Sequence, residues 1–340
     1  MRCGFRRSCS TRWRSGWPST GPTRRRLYLL TRPERGCVSG PEEHRHPNVT
    51  PLPFRWKLAG RPALGTLLDG DREHAYRGFF IDLRDCGVRV VAAAADGDLV
   101  FVGRSPESIY DYLTGVLSGT SWSERLVLLN LSMRHSDVEQ LARTDPGAVA
   151  AIRDHLASLG LSPGQIAASE RPKVFVDLVY GGNTFGHFLG LLEHWAADAR
   201  VDVAAVRRRI RFLGITSRSK NSPNTWRWYQ QVEWARRVPR SALRSVSISY
   251  GLWVYLGEYQ RKVARWHPPE RWGAEDAARP PRDEDALKAL RLAHMIHERG
   301  RARVERDRFA AELAAQRQLR DPSVRRLILE LRGTSARHER

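Results

Sequence analysis

Apolar and polar positions follow two rhythms along this chain. Tyr76–Leu83 and Val88–Ala94 read as β-strands, with Arg84–Gly87 as the turn between them and Asp96-Gly97-Asp98 as a second turn. Leu99–Val102 reads as a short buried strand. From Ser105 to Leu117 the rhythm turns helical, because Ile109, Tyr112, Leu113 and Val116 fall at i, i+3, i+4 and i+7. Arg125–Leu131 predicts another strand, and Pro146–Leu159 a helix closed by Gly160. Lys173–Asp177 then reads as a strand, Thr184–Ala196 as a helix with Phe185, Phe188, Leu189 and Leu192 on one face, and Arg209–Ile215 as a strand. Strand and helix alternate, which predicts an α/β fold with an open, mainly parallel sheet covered on both faces.

The pattern changes after Thr216. Residues 221–272 carry Trp226, Trp228, Trp234, Trp253, Trp266 and Trp272, and Pro268-Pro269 and Pro280-Pro281 interrupt the chain. This predicts an α/β domain over 55–220 and a Trp-rich helical extension over 221–280 packed on it. A charged helical tail follows over 281–340. Leu287, Leu290, Leu292, Ala293 and Ile296 are the tail's candidate core face, and its composition suits a peripheral arm. The run Trp226–Trp234 (WRWYQQVEW) has two readings. It covers the sheet face as a core helix, or its interleaved aromatics and arginines stack on single-stranded nucleic acid. Residues 1–50 hold eleven arginines and three acids, with Gly, Pro, Ser and Thr breaking every apolar run. They read as a disordered basic extension, with no apolar segment of the kind an export signal needs.

Composition narrows the classes. No apolar run approaches the length needed to span a bilayer, so an integral membrane protein is excluded and the cytoplasm is the default expectation. The four cysteines, Cys3, Cys9, Cys37 and Cys86, lack the spacing of a zinc site or a disulfide framework. Basic residues outnumber acidic ones 57 to 37, but only five of the 57 are lysine. That arginine skew fits a coding bias. A basic surface nonetheless attracts phosphates, on a nucleotide or on RNA. His187 and His194 lie two helical turns apart with no third ligand in view, so no metal site is expected there.

The chemistry concentrates in Lys173–Gly186, KVFVDLVYGGNTFG. An apolar strand ends in Asp177, a glycine-containing loop follows, and then Thr184 opens an amphipathic helix. Ligands of open α/β sheets bind at the carboxyl ends of strands. A strand–loop–helix turn aims backbone N–H groups and the positive helix end at one point, which suits phosphate. Gly181 and Gly182 permit close backbone approach, and Thr184 is a candidate N-cap. Val100–Tyr110 (VFVGRSPESIY) has the same shape, with Gly103 ending the strand, Arg104 supplying a guanidinium and Ser105 placed to cap a helix from Pro106. Neither segment matches G-x-x-x-x-G-K-[ST] or G-x-G-x-x-G, which argues against a P-loop NTPase and a dinucleotide-binding site. Ser132, Met133, Arg134 and His135 follow a strand end and are positioned to line the same cleft.

Lys173–Gly186 resembles the 5-phosphoribosyl-1-pyrophosphate (PRPP) loop of the type I phosphoribosyltransferases, whose pattern is an apolar run, two acids, and a small-residue loop closed by threonine before a helix. Without gaps, Val176 and Asp177 occupy the acidic pair and Val179–Thr184 the phosphate loop. Val176 departs from the pattern by replacing the first acid, and Gly181 by replacing a threonine. The resemblance implies the open parallel sheet of that family. It implies Asp177 as the catalytic residue holding the ribose hydroxyls. It also implies Tyr180, Gly181, Gly182, Asn183 and Thr184 around the 5′-phosphate, and Gly103, Arg104 and Ser105 around pyrophosphate with Mg²⁺. Thr216–Asn224 would form part of a hood over a base-like acceptor. The expected partners are PRPP or a nucleotide, with RNA and a homodimer as further candidates and no membrane. A non-catalytic nucleotide-sensing or RNA-binding protein on the same fold remains an alternative, as does an interaction protein organised by the C-terminal helices.

Overall fold

The computed structural model describes residues 53–58, 64–71, 75–133, 138–218, 227–316 and 321–336. The expected basic extension over 1–50, with Cys3, Cys9 and Cys37, lies outside them.

The described elements run α1 (Phe79–Ala94), β1 (Asp98–Val102), α2 (Glu107–Val116), β2 (Leu126–Leu129), α3 (Val138–Thr144), α4 (Pro146–Ser158), α5 (Pro163–Ala168) and β3 (Lys173–Leu178). They continue with α6 (Asn183–Asp198), α7 (Val203–Arg208), β4 (Ile210–Ser217), β5 (Leu243–Ile248), α8 (Tyr250–Val254), α9 (Glu284–Arg301), α10 (Arg303–Ala314) and α11 (Pro322–Ala336). The five strands form one all-parallel open sheet in the order β2-β1-β3-β4-β5. The chain runs outward from β1 to β2, then back across β1 to β3. The switch point therefore lies between β1 and β3, where a doubly wound sheet leaves a crevice at its carboxyl ends.

Register sorts the core into two layers, because successive strand residues point to opposite faces. Phe101 sits beside Val176, and Val176 beside Leu213. These join α1, α2, α9, α10 and α11 on one face. Val100 sits beside Phe175, and Phe175 beside Phe212. These meet α4, α6 and the 228–242 segment on the other. No helix among the described residues is long and apolar enough to cross a membrane.

Three expectations are corrected. Tyr76–Leu83 and Val88–Ala94 are not strands; most of both belongs to α1, a single helix running through the expected turn at Arg84–Gly87. Most of its residues are buried, between the sheet and the C-terminal helices, and a narrow stripe of Asp82, Asp85 and Arg89 is left outside. A helix buried on most sides keeps only a narrow polar stripe, and the broad apolar face between reads as β-branched runs. The Trp-rich segment is not wholly helical. Leu243–Ile248 lies inside it as the fifth strand, paired with β4, and Trp228 and Trp234 sit in short 3₁₀ turns. The charged tail is not peripheral. Leu290, Leu292, Ala293 and Ile296 of α9 are buried as expected, but so are Phe309 and Leu313 of α10 and Leu327 and Leu331 of α11. These three helices pack over α1 and α2 on one face of the sheet.

The amino end of the sheet is electrostatically settled. Asp98 accepts from Arg171 Nε at 2.7 Å and from Lys173 Nζ at 2.8 Å. Arg211 reaches Asp96 at 2.7 Å. The carboxyl end differs.

Candidate functional site

A cleft of about 420 Å³ opens at the carboxyl ends of β1 and β3, at the switch point. Gly103, Arg104, Ser105, Asp177, Tyr180, Gly181, Gly182, Asn183 and Thr184 all line it. Two segments more than seventy residues apart in sequence thus converge because β1 and β3 are neighbours in the sheet.

The β3 side begins with Asp177, which is buried. Burial pushes its carboxyl up to about 8, against the opposing pull of the Leu178 backbone N–H and of Lys262. At neutral pH it is therefore a neutral acid, able to donate one hydrogen bond and accept others. Val176 points into the core and is fully buried. Tyr180, Gly181 and Asn183 are exposed, Thr184 is half-buried and Gly182 is buried. Thr184 is not the N-cap of α6. That position belongs to Gly182, whose φ is 77° and which offers no side-chain cap. The chain turns through a left-handed residue one step earlier than the threonine. Gly182 also has a packing reason, since an added Cβ would lie 2.8 Å from the Trp228 ring. Gly181 faces open space.

On the β1 side, Gly103 adopts φ 74° and its N–H donates to the Leu129 carbonyl at 2.8 Å. This turns the chain out of the strand, so Arg104 and Ser105 face the cleft. Ser105 does not cap α2. Pro106 holds the N-cap position without a side-chain bond, and an Arg104–Glu107 turn precedes the helix. The Arg104 guanidinium makes no hydrogen bond or ion pair among the described residues. Burial lowers its pKa, against the attraction of Glu107.

Several cleft residues escaped the reading of the sequence. Trp253 comes from α8, and Gly257, Glu258, Lys262, Trp266 and His267 come from a strap that follows α8 and lines the cleft. Lys262 is pushed down by burial and by Arg104, while Glu107, Asp177 and Glu258 hold it up. Glu107 is fully buried beneath the strap, and burial raises its carboxyl. The buried His267 ring is pushed down to about 4, chiefly by desolvation, so it is neutral. Lys262 left one compositional signal, as one of five lysines in a chain whose other 52 basic residues are arginine. Ser132 and Met133 line the cleft, while Arg134 and His135 lie outside the described residues. Of the expected hood, Thr216 and Ser217 are buried in β4, and residues 219–226 lie outside the described residues.

No cluster of three or more metal-ligating side chains occurs among the described residues. Asp177 and Glu258 are the carboxylates on the cleft wall. A Mg²⁺ ion fits this donor set only when a bound phosphate supplies most of its oxygens, which is the usual habit of Mg²⁺.

The site is thus the switch-point crevice of an open α/β sheet, lined by two cations and a buried acid. Comparison of the chain with protein-family models, curated proteins and solved structures finds no match.

Proposed function

We propose that this cleft binds a phosphorylated ribose, PRPP or a nucleotide, and that the chain is a phosphoribosyltransferase-like protein acting on a base-like acceptor. The observation that carries this reading is Arg104: a half-buried guanidinium, without a hydrogen bond or ion pair among the described residues, faces the same cleft as Asp177 and the 180–184 loop. A desolvated cation in an open cleft favours an anionic ligand. In this reading the 180–184 loop and the first amides of α6 take the 5′-phosphate. Asp177, neutral at pH 7, exchanges hydrogen bonds with the ribose hydroxyls. Transfer breaks the C1–O bond to diphosphate and forms a bond from C1 to the acceptor nitrogen. Charge on the departing diphosphate is met by preorganised cations. Bound Mg²⁺ would supply further neutralisation of that diphosphate.

Isothermal titration with PRPP and Mg²⁺ tests this on wild type and Asp177→Asn. Micromolar affinity that falls at least tenfold in the variant is the expected result. No heat with PRPP or with any nucleotide removes the assignment. Buried Val176 favours a second reading, a nucleotide sensor without transfer activity, because it leaves the first acidic position of the family pattern inside the core. Nucleotide affinity with no Mg²⁺-dependent pyrophosphate release across a panel of bases would select that reading. Affinity for RNA that falls steeply with salt would select an RNA binder instead.

A further inference from the structure

The segment between β4 and β5 sorts its side chains by face. Trp228 and Trp234 turn inward, onto Phe185 and Phe212. Arg236, Arg237 and Arg240 are left exposed. The charge here is local. Residues 207–244 hold eleven basic residues and one acid, Glu233. Outside that stretch and residues 1–50, the chain holds 35 basic and 33 acidic residues, which nearly cancel. A coding bias toward arginine does not strip the acids from one stretch, so the positive field is a property of this surface.

The segment frames a groove of about 590 Å³, and no residue of it lines the cleft at the carboxyl ends of β1 and β3. Tyr229, Gln230, Arg236 and Arg240 line the groove, with Val238 and Leu243 on its apolar wall. Neither the Arg236 nor the Arg240 guanidinium makes a hydrogen bond or ion pair among the described residues. Glu233 is the acid on the groove wall. Nearby, Glu193 of α6 takes Arg207 at 2.8 Å and Arg237 at 2.5 Å, so one carboxylate answers two guanidiniums. Tyr229 is held still. Its hydroxyl accepts from Arg227 Nη1 at 3.1 Å, and its ring meets Trp228 edge-on with centroids 5.3 Å apart. A half-buried ring already fixed on a groove wall offers a stacking surface at little further cost in side-chain freedom.

Guanidiniums on a groove wall suit a backbone of repeated phosphates, and the ring beside them suits a flat base. A single-stranded nucleic acid brings both. A duplex keeps its bases stacked inside, and an acidic peptide brings no base. We propose that the groove lined by Tyr229, Arg236 and Arg240 binds single-stranded nucleic acid, with the two arginines on backbone phosphates and a base against Tyr229. The site is separate from the cleft and does not depend on the phosphoribosyl reading.

Fluorescence anisotropy of the full chain with labelled oligo-uridine and oligo-thymidine strands, each about twelve nucleotides long, tests it. Arg236→Gln combined with Arg240→Gln should weaken binding at least tenfold. It should also flatten the slope of log affinity against log salt by about 1.4, at about 0.7 for each phosphate contact. Tyr229→Leu should weaken binding at least fivefold and leave that slope unchanged, since stacking releases no counterions. Arg279→Gln combined with Arg282→Gln removes the same charge from exposed positions off the groove and should stay within about threefold. The Arg236 and Arg240 variant removes no hydrogen bond or ion pair, so it remains informative if Tyr229→Leu does not fold. Tighter binding of the uridine strand than the thymidine strand would name RNA as the ligand, and the reverse would name DNA. Equal losses in the two arginine pairs overturn the groove, because net charge then explains the binding. Displacement of the strand by PRPP places it in the cleft and also overturns the groove. Unchanged affinity in a folded Tyr229→Leu, a duplex bound as tightly as the single strand, or equal competition by polyglutamate overturns the single-strand assignment. Absence of binding to either strand overturns the proposal and leaves the reading of the cleft untouched.

Discussion

Gly181 and Gly182 are neighbours in sequence and belong to two different regions. Gly181 faces the open cleft, with nothing within 4 Å of where a Cβ would be. Gly182 faces a dry aromatic lock, and its added Cβ would meet Trp228 at 2.8 Å. The lock extends along this side of the sheet. Phe185, Phe212 and Trp234 all lie within 5.8 Å, ring to ring, of Trp228 or of one another in sequence around it. Gly186 and Gly214 leave room for the two tryptophans. The cleft, by contrast, gathers Arg104, Lys262 and Asp177. One glycine-rich turn therefore serves packing with one residue and leaves backbone open to a ligand with the next. The lock stabilises the loop from behind; the cleft holds groups that burial makes unfavourable to charge.

The largest break in this comparison is Trp228→Ala. Trp228 is fully buried, and its Nε1 donates to the Arg244 carbonyl at 3.1 Å. The substitution should cost about 3–5 kcal/mol and leave that carbonyl without its donor. Urea unfolding measures this, and a loss under about 1 kcal/mol would show that the lock does not hold the fold.

Asp177 gives the opposite sign. Its folded pKa of about 8 lies above the usual carboxylate range. Between those values the unfolded chain has released a proton that the folded chain keeps. The contribution of Asp177 to stability is therefore full at low pH and lost as pH rises through its folded pKa. Between about pH 5.5 and about pH 7.5, wild type should lose about 2.5 kcal/mol that Asp177→Asn does not lose. Parallel stability curves for the two proteins would show that Asp177 is ionised in the folded state at neutral pH.

Gly182→Ala should cost about 2 kcal/mol, because a Cβ is strained at positive φ and must displace the Trp228 ring. A double variant with Trp228→Ala separates the two causes. The part due to the clash disappears, and the part due to φ stays.

The two regions were unequally legible in the sequence. β1, α2, β3, α6 and β4 each carry a short apolar run or a 3.6-residue stripe, and each appears close to its expected bounds. The cleft residues Gly103–Ser105 and Asp177–Thr184 were visible as two strand–loop–helix turns, and only strand adjacency was needed to join them. α1 and β5 hid for physical reasons. Burial of α1 on most sides narrowed its polar stripe to Asp82, Asp85 and Arg89, leaving β-branched runs that imitate strands. β5 reads LRSVSI, and its half-buried Arg244 and exposed Ser245 weaken the apolar signal of an edge strand amid tryptophans. The position of Lys262 on the cleft was invisible for a different reason. Its place on the cleft depends on hydrogen bonds to Glu107, Asn130 and Ser132, all more than a hundred residues away, and no local pattern encodes such a strap.

Gly181→Ala should produce the smallest change in stability, within about 0.5 kcal/mol. The position is exposed, has no positive φ, and has no neighbour for the methyl group to strike. Ligand binding should respond more strongly, and that asymmetry makes the variant useful. In the phosphoribosyl reading the 5′-phosphate rests against backbone at this turn, so a methyl group there stands between amide and phosphate. Ribose 5-phosphate should weaken roughly tenfold, a change of about 1.4 kcal/mol in binding from a substitution nearly silent in folding. In the same reading pyrophosphate sits against Arg104, away from this turn, and should be unaffected. Unaltered ribose 5-phosphate affinity in Gly181→Ala would place the monophosphate elsewhere in the cleft. Gly181 would then be a turn residue like Gly182, without a ligand to explain its open face.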